Sequence, residues 1–185
     1  MIQTLDDREL IVRAARDGDA EAFADLVQRW DRRLLAFLTK ATGDPDAAKD
    51  LRQEVFLRLH RYRTSYDANY AFTTWLFRIV ANVLATWHAK NLRRSTSRAP
   101  LQDAADTSPS PSDCASHTET VDQVRAAIGK LSPAERQMLL LRFDLELSYR
   151  EIAEILGAPE TTVKSRLYAL LQRLRQSLEH PEHTA

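Results

Sequence analysis

The stretch from Leu147 to Arg175, LSYREIAEILGAPETTVKSRLYALLQRLR, constrains the fold of this chain more than any other. It predicts two helices joined by a tight turn. Ser148 and Glu151 form the S-x-x-E pattern of a capping box, which predicts that the first helix opens at Ser148. Gly157 predicts its end, because glycine readily takes the left-handed conformation common at helix C-termini. Apolar residues then recur at helical spacing along the second helix: Val163, Leu167, Leu170, Leu171 and Leu174.

Polar and basic residues lie on or beside the opposite face of that second helix, near its start: Lys164, Ser165, Arg166 and Tyr168. A short helix, a turn with a glycine and a helix of this kind form the plan of a helix-turn-helix. In that motif the second helix enters the major groove of DNA. An ordinary pair of antiparallel helices with a solvated basic face would show the same pattern, so this stretch alone leaves both interpretations open.

The rest of the chain also predicts helices. Only four of its 185 residues are glycine, and no segment alternates apolar and polar residues as a half-buried strand does. Gly43, Asp44 and Pro45 predict a helix end followed directly by a helix start. A second capping box at 132–135 opens the segment ERQMLLLRF. Apolar spacing predicts further helices over residues 6–16, 20–41, 46–61, 72–94 and 121–131.

A change of composition divides the chain. Residues 95–119 are rich in Ser, Thr, Pro, Ala and Asp and poor in large apolar residues. Such a segment cannot bury enough apolar surface to offset the entropy lost on ordering, so it predicts a flexible linker. The fold class predicted is therefore all-α, with helical domains at 1–94 and 120–180, the second of which contains the helix-turn-helix.

The formal net charge is zero, yet the charges are unevenly distributed. No acidic residue occurs between Asp67 and Asp103. Basic residues do occur there: Arg78, Lys90, Arg93, Arg94 and Arg98. A local excess of positive charge says more about binding partners than the net charge of the whole chain does. This excess favours a polyanion such as nucleic acid as a partner.

Cysteine and histidine give little sign of a metal or cofactor. Cys114 is the only cysteine, which excludes an intramolecular disulfide and a thiolate metal cluster. His180 and His183 near the end of the chain are a weak metal signal. The first residues lack an apolar signal core and no apolar run is long enough to span a bilayer, so we expect a cytoplasmic protein without membrane contact of its own.

Two blocks of the sequence together resemble a known family. DAAKDLRQEVFLRLHRY, followed by FTTWLFRIVANVLATWHAKNLRR, resembles conserved region 2 of extracytoplasmic-function (ECF) sigma factors of the sigma-70 family. LSPAERQMLLLRFDLELSYREIAEILGAPETTVKSRLYALLQRLR resembles their region 4. The blocks stand in the family's order and are separated by a short linker. The resemblance covers nearly everything except the linker and the two ends of the chain.

The resemblance implies a transcription initiation factor that binds bacterial core RNA polymerase and promoter DNA. By that likeness, the helix at 46–61 grips the polymerase clamp through acidic and amide groups, with one aromatic residue adding an apolar contact: Asp46, Asp50, Gln53, Glu54 and Phe56. The next helix resembles the element for the −10 promoter region. There Asn82 would read an unstacked base, because an amide can both donate and accept hydrogen bonds. The predicted phosphate contacts are Arg78, Lys90, Arg93 and Arg94.

Region 4 would read the −35 element as duplex. The predicted contacts are Thr161, Thr162, Lys164, Ser165, Arg166 and Tyr168. One departure matters: family members often carry arginines just past the aromatic position, whereas Ala169, Leu170 and Leu171 follow Tyr168 here. A familiar −35 preference therefore cannot simply be transferred, and the more apolar helix end favours burial against a protein partner.

Two other classes of protein fit the sequence less well. A self-sufficient DNA-binding regulator would use the helix-turn-helix as a dimer, but no dimerisation element is evident and the helices at 46–61 and 72–94 would have no role. An enzyme finds little support, because no Gly-rich phosphate loop, metal-ligand cluster or Ser/Cys–His pattern occurs. We therefore expect no catalytic residues. The family resemblance also implies an anti-sigma protein as a regulatory partner.

Overall fold

The computed structural model of the protein describes residues 5–97, 124 and 127–179. Within these ranges the chain is helical and contains no strand, which confirms the predicted all-α class. Before the predicted linker lie α1 Asp7–Arg16, α2 Ala20–Thr42, α3 Pro45–Tyr62 and α4 Phe72–Ser97. After it lie α5 Pro133–Leu139, α6 Tyr149–Leu156 and α7 Glu160–Glu179.

Helix α4 runs to Ser97, beyond the predicted end at Arg94. Its sequence has no glycine or proline before Pro100, and the residue preceding a proline is disfavoured in a helix. Residues 95–97 are therefore helical rather than part of a linker. The rest of the predicted linker, residues 121–123, 125 and 126 of the helix predicted at 121–131, and Cys114, His180 and His183 lie outside the described residues, whereas residues 124 and 127–129 of that helix are helical.

The predicted helix start at Asp44 and Pro45 is confirmed, and Asp19 caps α2 in the same way. The Asp19 carboxylate accepts a hydrogen bond from the Ala22 N–H at 2.9 Å. Asp44 accepts from the N–H groups of Asp46 and Ala47 at 2.9 and 3.0 Å, with Pro45 in the first turn of α3. Caps of this kind each contribute about 1 kcal/mol, because they satisfy N–H groups that have no partner within the helix. Between α3 and α4, the connecting loop includes a short 3-10 turn, Arg63–Ser65.

Both capping boxes predicted in the C-terminal part are present. Ser132 and Glu135 exchange hydrogen bonds at the start of α5, and Ser148 and Glu151 do so at the start of α6. The segment ERQMLLLRF is not one continuous α-helix as the sequence predicted. It changes at Leu140–Asp144 into a π-helical turn, in which the Leu145 N–H donates to the Leu140 carbonyl at 3.2 Å.

Helix α4 is buried over an unusually wide arc. At about 100° per residue, its buried side chains cover roughly 160°, more than the stripe of about 100° that a surface helix buries on one side. The residues in this arc are Leu76, Phe77, Ile79, Val80, Val83 and Leu84. Helices α1 and α3 pack against α4 from the N-terminal part, and α6 packs against it from the C-terminal part. The arc is wide because α4 has partners from both parts of the chain.

Gly157 supplies the stop between the two helices of the helix-turn-helix. Its φ is 62°, in the left-handed region, and its N–H donates to the Ala153 carbonyl. A Cβ at this position would meet no atom within 4 Å, so a larger residue would suffer backbone strain without a steric clash.

We expect Gly157→Ala to lower the free energy of unfolding by about 1 kcal/mol, because the left-handed conformation disfavours a Cβ. Urea unfolding followed by circular dichroism measures this. Gly129→Ala is the matched control, since Gly129 has no positive φ and the same empty surroundings. Equal stability of the two variants would contradict the assigned conformation of Gly157.

Candidate nucleic-acid interface and protein-binding face

An acidic face runs along α3. Asp46, Asp50 and Gln53 are exposed and follow each other at i, i+4 and i+7, which places them on one side of the helix. The Lys49 ammonium donates to Asp46 at 2.8 Å, and this hydrogen bond holds the pKa of Asp46 below its ordinary value. Glu54 is half-buried and accepts from Arg58 at 2.6 Å. The four predicted polar residues of α3 are thus available to a partner, with Glu54 held by its ion pair.

The two apolar side chains near this face differ in exposure. Phe56 is half-buried and packs against the core, whereas Leu57 is 60% exposed. Leu57 continues the spacing of Asp46, Asp50 and Gln53 at i+11, so it lies in line with them. Helical spacing alone would have found Leu57.

The polar face of α4 is basic and free of acidic residues. Arg78, Asn82, Lys90 and Arg93 are all exposed. Arg94 belongs to the same helix, but its side chain lies outside the described residues. The Asn82 backbone carbonyl accepts from the Thr86 hydroxyl at 2.8 Å. Arg78, Asn82 and Arg93 lie opposite the buried arc, on one solvent-facing surface. Lys90 follows Ile79 and Val83 at i+11 and i+7, so it points to the same side as the arc and is exposed because it lies past the last buried residue, Leu84.

Aromatic side chains brace the loop that precedes α4. The rings of Tyr66 and Trp75 lie 5.2 Å apart, and Phe72 lies 6.2 Å from each of them. The Tyr66 hydroxyl donates to the Tyr70 carbonyl at 2.7 Å, which closes residues 66–70 into a turn. Trp75 is half-buried in this cluster. The cluster fixes the loop against the first turn of α4.

Helix α7 separates its polar and apolar residues as predicted. Val163, Leu167 and Leu170 are buried. The residues predicted to contact the −35 element are exposed except Thr162, which is half-buried: Thr161, Thr162, Lys164, Ser165, Arg166 and Tyr168. Helix α6 packs against α7, so the pair has the helix-turn-helix arrangement.

One aromatic ring links this pair to the segment before it. The Tyr149 ring is half-buried, with the Arg142 guanidinium 5.1 Å and the Lys164 ammonium 5.6 Å from its centroid. Arg142 also donates to the Leu147 carbonyl at 2.8 Å. Cation–π contacts of this kind hold both charges beside the start of α7. Sequence reasoning missed Tyr149 and Arg142, because no spacing rule relates the π-helical turn, α6 and α7.

Among the described residues, no cluster of His, Cys, Asp or Glu could hold a metal ion. Within the same part of the chain, no helix is both long and apolar enough to cross a membrane.

Comparison with known proteins identifies the two parts of the fold. The family model described as Sigma-70 region 2 matches residues 26–94, and the model described as Sigma-70, region 4 matches residues 122–174. ECF RNA polymerase sigma factor SigW of Bacillus subtilis (strain 168) is 30% identical over 177 residues, with 90% of this chain and 94% of SigW covered. The ECF RNA polymerase sigma-E factor of Haemophilus influenzae is 31% identical, with 97% of each chain covered.

A solved structure agrees with these matches. CnrH, in its complex with the cytosolic domain of CnrY, superposes with a TM-score of 0.66 at 26% identity, covering 94% of this chain and 97% of CnrH. Region 2 followed by region 4, each with its polar face exposed, defines a transcription initiation factor of the sigma-70 type. The chain belongs to the extracytoplasmic-function sigma factors of that family.

The family resemblance predicted from the sequence is therefore confirmed. The protein binds bacterial core RNA polymerase and directs promoter recognition and transcription initiation. Its family consists of regulators rather than catalysts.

The Tyr149 contacts generate a prediction about −35 binding. Tyr149→Leu should weaken binding to −35 duplex about two- to fivefold, because an exposed cation–π contact contributes about 0.5–1 kcal/mol. Tyr149→Phe keeps the ring and should bind almost as the unmodified chain does. Fluorescence anisotropy with labelled duplex measures both variants, and an equal loss in both would show that the hydroxyl, not the ring, matters.

Proposed function

We propose that this sigma factor divides promoter recognition among three surfaces: the α3 face binds core polymerase, the polar face of α4 binds the separated −10 strand, and α7 binds the −35 duplex. The observation that carries the proposal is the α4 face. It is exposed, it lacks acidic residues, and it combines one amide with several cations. Cations hold phosphates, whereas an amide can recognise the edge of an unpaired base.

The proposed roles follow from what each surface offers. The acidic groups on α3 can form ion pairs with basic residues of a partner, and Leu57 can pack against an apolar side chain among them. Asn82 stands between Arg78 and Arg93 on the exposed face of α4, so a strand whose phosphates are held by these two arginines would pass the amide. Lys164 and Arg166 lie near the start of α7, where a recognition helix contacts base edges and phosphates. None of these roles requires bond-making chemistry, and we propose that the protein is not an enzyme.

We further propose that an anti-sigma protein regulates this chain, and that both act in the cytoplasm with polymerase and DNA. CnrH, which has a similar fold, was solved with the cytosolic domain of a second protein. An apolar hollow of about 570 Å³ beside α5 offers a surface for such a partner. Its lining includes Ile128, Phe143 and Leu171, which are 38%, 57% and 41% exposed. An amphipathic helix with apolar side chains on one face would fill it.

Core binding should depend on the α3 face. Asp50→Lys and Leu57→Ser should each weaken association with core polymerase, because they reverse a charge and remove an apolar contact on that face. Exposed substitutions usually change stability by no more than about 0.5 kcal/mol, so the fold should persist. Glu21→Lys is the control, since Glu21 is an exposed acid on α2. Pull-down affinities unchanged from the control would remove α3 from the proposal.

Substitutions on the two DNA-binding surfaces should impair different steps of initiation. Asn82→Ala should leave closed complexes intact but impair promoter opening, or reduce selectivity at one −10 position. The expected reduction is about tenfold to a hundredfold, because one good base contact contributes roughly 1–3 kcal/mol. Lys164→Ala and Arg166→Ala should instead weaken closed-complex binding. If a variant loses the same affinity for every −35 sequence, the residue contacts a phosphate. The slope of the logarithm of the binding constant against the logarithm of salt concentration should then be smaller by about one.

Permanganate footprinting reports opening, and filter binding reports the closed complex. Thr86→Ala is a matched control for Asn82→Ala, because Thr86 is exposed on the same helix and its hydroxyl donates to the backbone carbonyl of Asn82. If Asn82→Ala opens promoters normally but binds duplex DNA more weakly, α4 contacts duplex DNA and not the separated −10 strand.

A further inference from the structure

Helix α2 carries a basic face that none of the surfaces described above includes. Between residues 29 and 40 its exposed side chains are four cations and one small residue: Arg29, Arg32, Arg33, Lys40 and Ala36. At about 100° per residue, these positions fall within an arc of roughly 100°, so they share one side of the helix. Asp31 is the only acid in this segment. It is half-buried and accepts a hydrogen bond from Arg52 of α3 at 3.1 Å.

Two of the four cations on this face have acidic partners, and the other two do not. The Arg29 guanidinium lies 3.3 Å from the Asp7 carboxylate, and Lys40 pairs with a carboxylate of the π-helical turn. Arg32 and Arg33, by contrast, have no ion pair or hydrogen bond to any residue that the structure describes. These two adjacent arginines therefore keep their full charge and their N–H donors for an anion.

An aromatic ring holds Arg33 in place. Its guanidinium lies 4.9 Å from the centroid of the Trp30 ring. Trp30 is buried, and its indole N–H donates to the Asp7 carboxylate at 2.9 Å, which fixes the orientation of the ring. A guanidinium stacked on a ring keeps its charge. Because Arg33 is already partly ordered, it loses less conformational entropy on binding a phosphate than a freely moving side chain does.

The same ring places Arg33 beside the start of α4. The Trp30 centroid lies 5.9 Å from that of Phe72 and 6.0 Å from that of Phe77. Phe72 is the first residue of α4, and Phe77 immediately precedes Arg78 of the solvent-facing surface. The basic face of α2 and that surface of α4 therefore approach each other at the end of α4 that also carries the aromatic cluster.

The combination of cations and aromatic rings at this end of α4 suits single-stranded nucleic acid. Phosphates pair with the cations of such a surface, and bases stack on its rings. Arg78 and Arg93 lie about 22 Å apart along the axis of α4, at 1.5 Å per residue. A strand held by these two arginines leaves α4 at the first turn, and Arg33 lies beside that turn.

We propose that Arg32 and Arg33 form a further phosphate-binding site on α2, which holds the separated promoter strand where it continues past the −10 bases on one side. The proposal rests on the function proposed above, because it extends the single-strand contact of α4. The two arginines hold the backbone without selecting a base, since a guanidinium binds phosphate through its charge and its N–H donors whatever the sequence.

An acidic protein surface is the other class of partner that a basic face could bind. The face of α3 proposed to bind polymerase is itself acidic, so the polymerase surface opposite it is basic. A basic surface repels Arg32 and Arg33. The position of Arg33 at the start of α4 therefore favours DNA as the partner of this face.

The site can be tested with holoenzyme assembled from core polymerase and the full-length chain. Labelled single-stranded DNA carries the −10 sequence alone, or with a short extension on one side or on the other. Arg32→Ala and Arg33→Ala should each weaken binding about two- to fivefold for DNA extended on the same one of the two sides, as expected for an exposed charge pair. The slope of the logarithm of the binding constant against the logarithm of salt concentration should be smaller by about 0.7 for each variant. Binding of the unextended DNA should not change.

Two variants serve as controls. Arg33→Lys keeps the charge and should keep the salt slope. Arg150→Ala should bind every DNA as the unmodified chain does, because Arg150 is an arginine of region 4 whose side chain is 81% exposed. Since Arg32 contacts no ring among the described residues, Arg32→Ala separates DNA binding from packing on Trp30. An equal loss for extended and unextended DNA, or no loss for either, would overturn the proposal.

Two further measurements separate this proposal from the other partner and from the proposed function. Weaker association of Arg32→Ala with core polymerase in a pull-down would assign the face to an acidic protein surface and overturn the DNA site. Arg78→Ala on α4 should weaken binding of every DNA. If Arg78→Ala has no effect, the proposed role of α4 is wrong. If it weakens binding as expected while both α2 variants bind all DNAs normally, only the site on α2 is wrong.

Discussion

The apolar arc of α4 is the constraint on which the rest of the structure depends. A helix that buries roughly 160° of its surface needs packing partners on more than one side. Helices α1 and α3 provide one side, and α6 provides the other. Opposite the arc, a strip of α4 faces solvent, and Arg78, Asn82 and Arg93 lie on that strip. Packing thus determines which side chains are presented to DNA.

The local parts of the fold could be predicted from residue types. Asp44, Ser132 and Ser148 cap helices as expected, because each accepts a hydrogen bond from N–H groups within three residues of itself. Such interactions depend only on neighbours in the sequence. The exposed face of α7 and the all-α class follow from helical spacing in the same way, and the family assignment adds their order along the chain.

The long-range parts could not be predicted in this way. The Tyr149 ring meets Arg142 and Lys164 only because a π-helical turn, α6 and α7 converge at one point. A π-helical turn has no clear composition signal, and Glu146 just after it has a φ of 55°, which is uncommon for a residue other than glycine. The contact between α4 and α6 escaped prediction for another reason. An apolar face that packs against a distant helix has the same spacing as one that packs within its own domain.

The separation of buried arc and solvent-facing strip on α4 has a consequence for how such proteins diversify. Substitutions within the arc disturb a core shared by both regions, so drift there is strongly constrained. Substitutions at exposed positions such as Arg78 and Asn82 change surface chemistry at little cost in stability. Duplicated copies of a chain built in this way can therefore acquire separate sets of target genes while each still folds and engages the same polymerase.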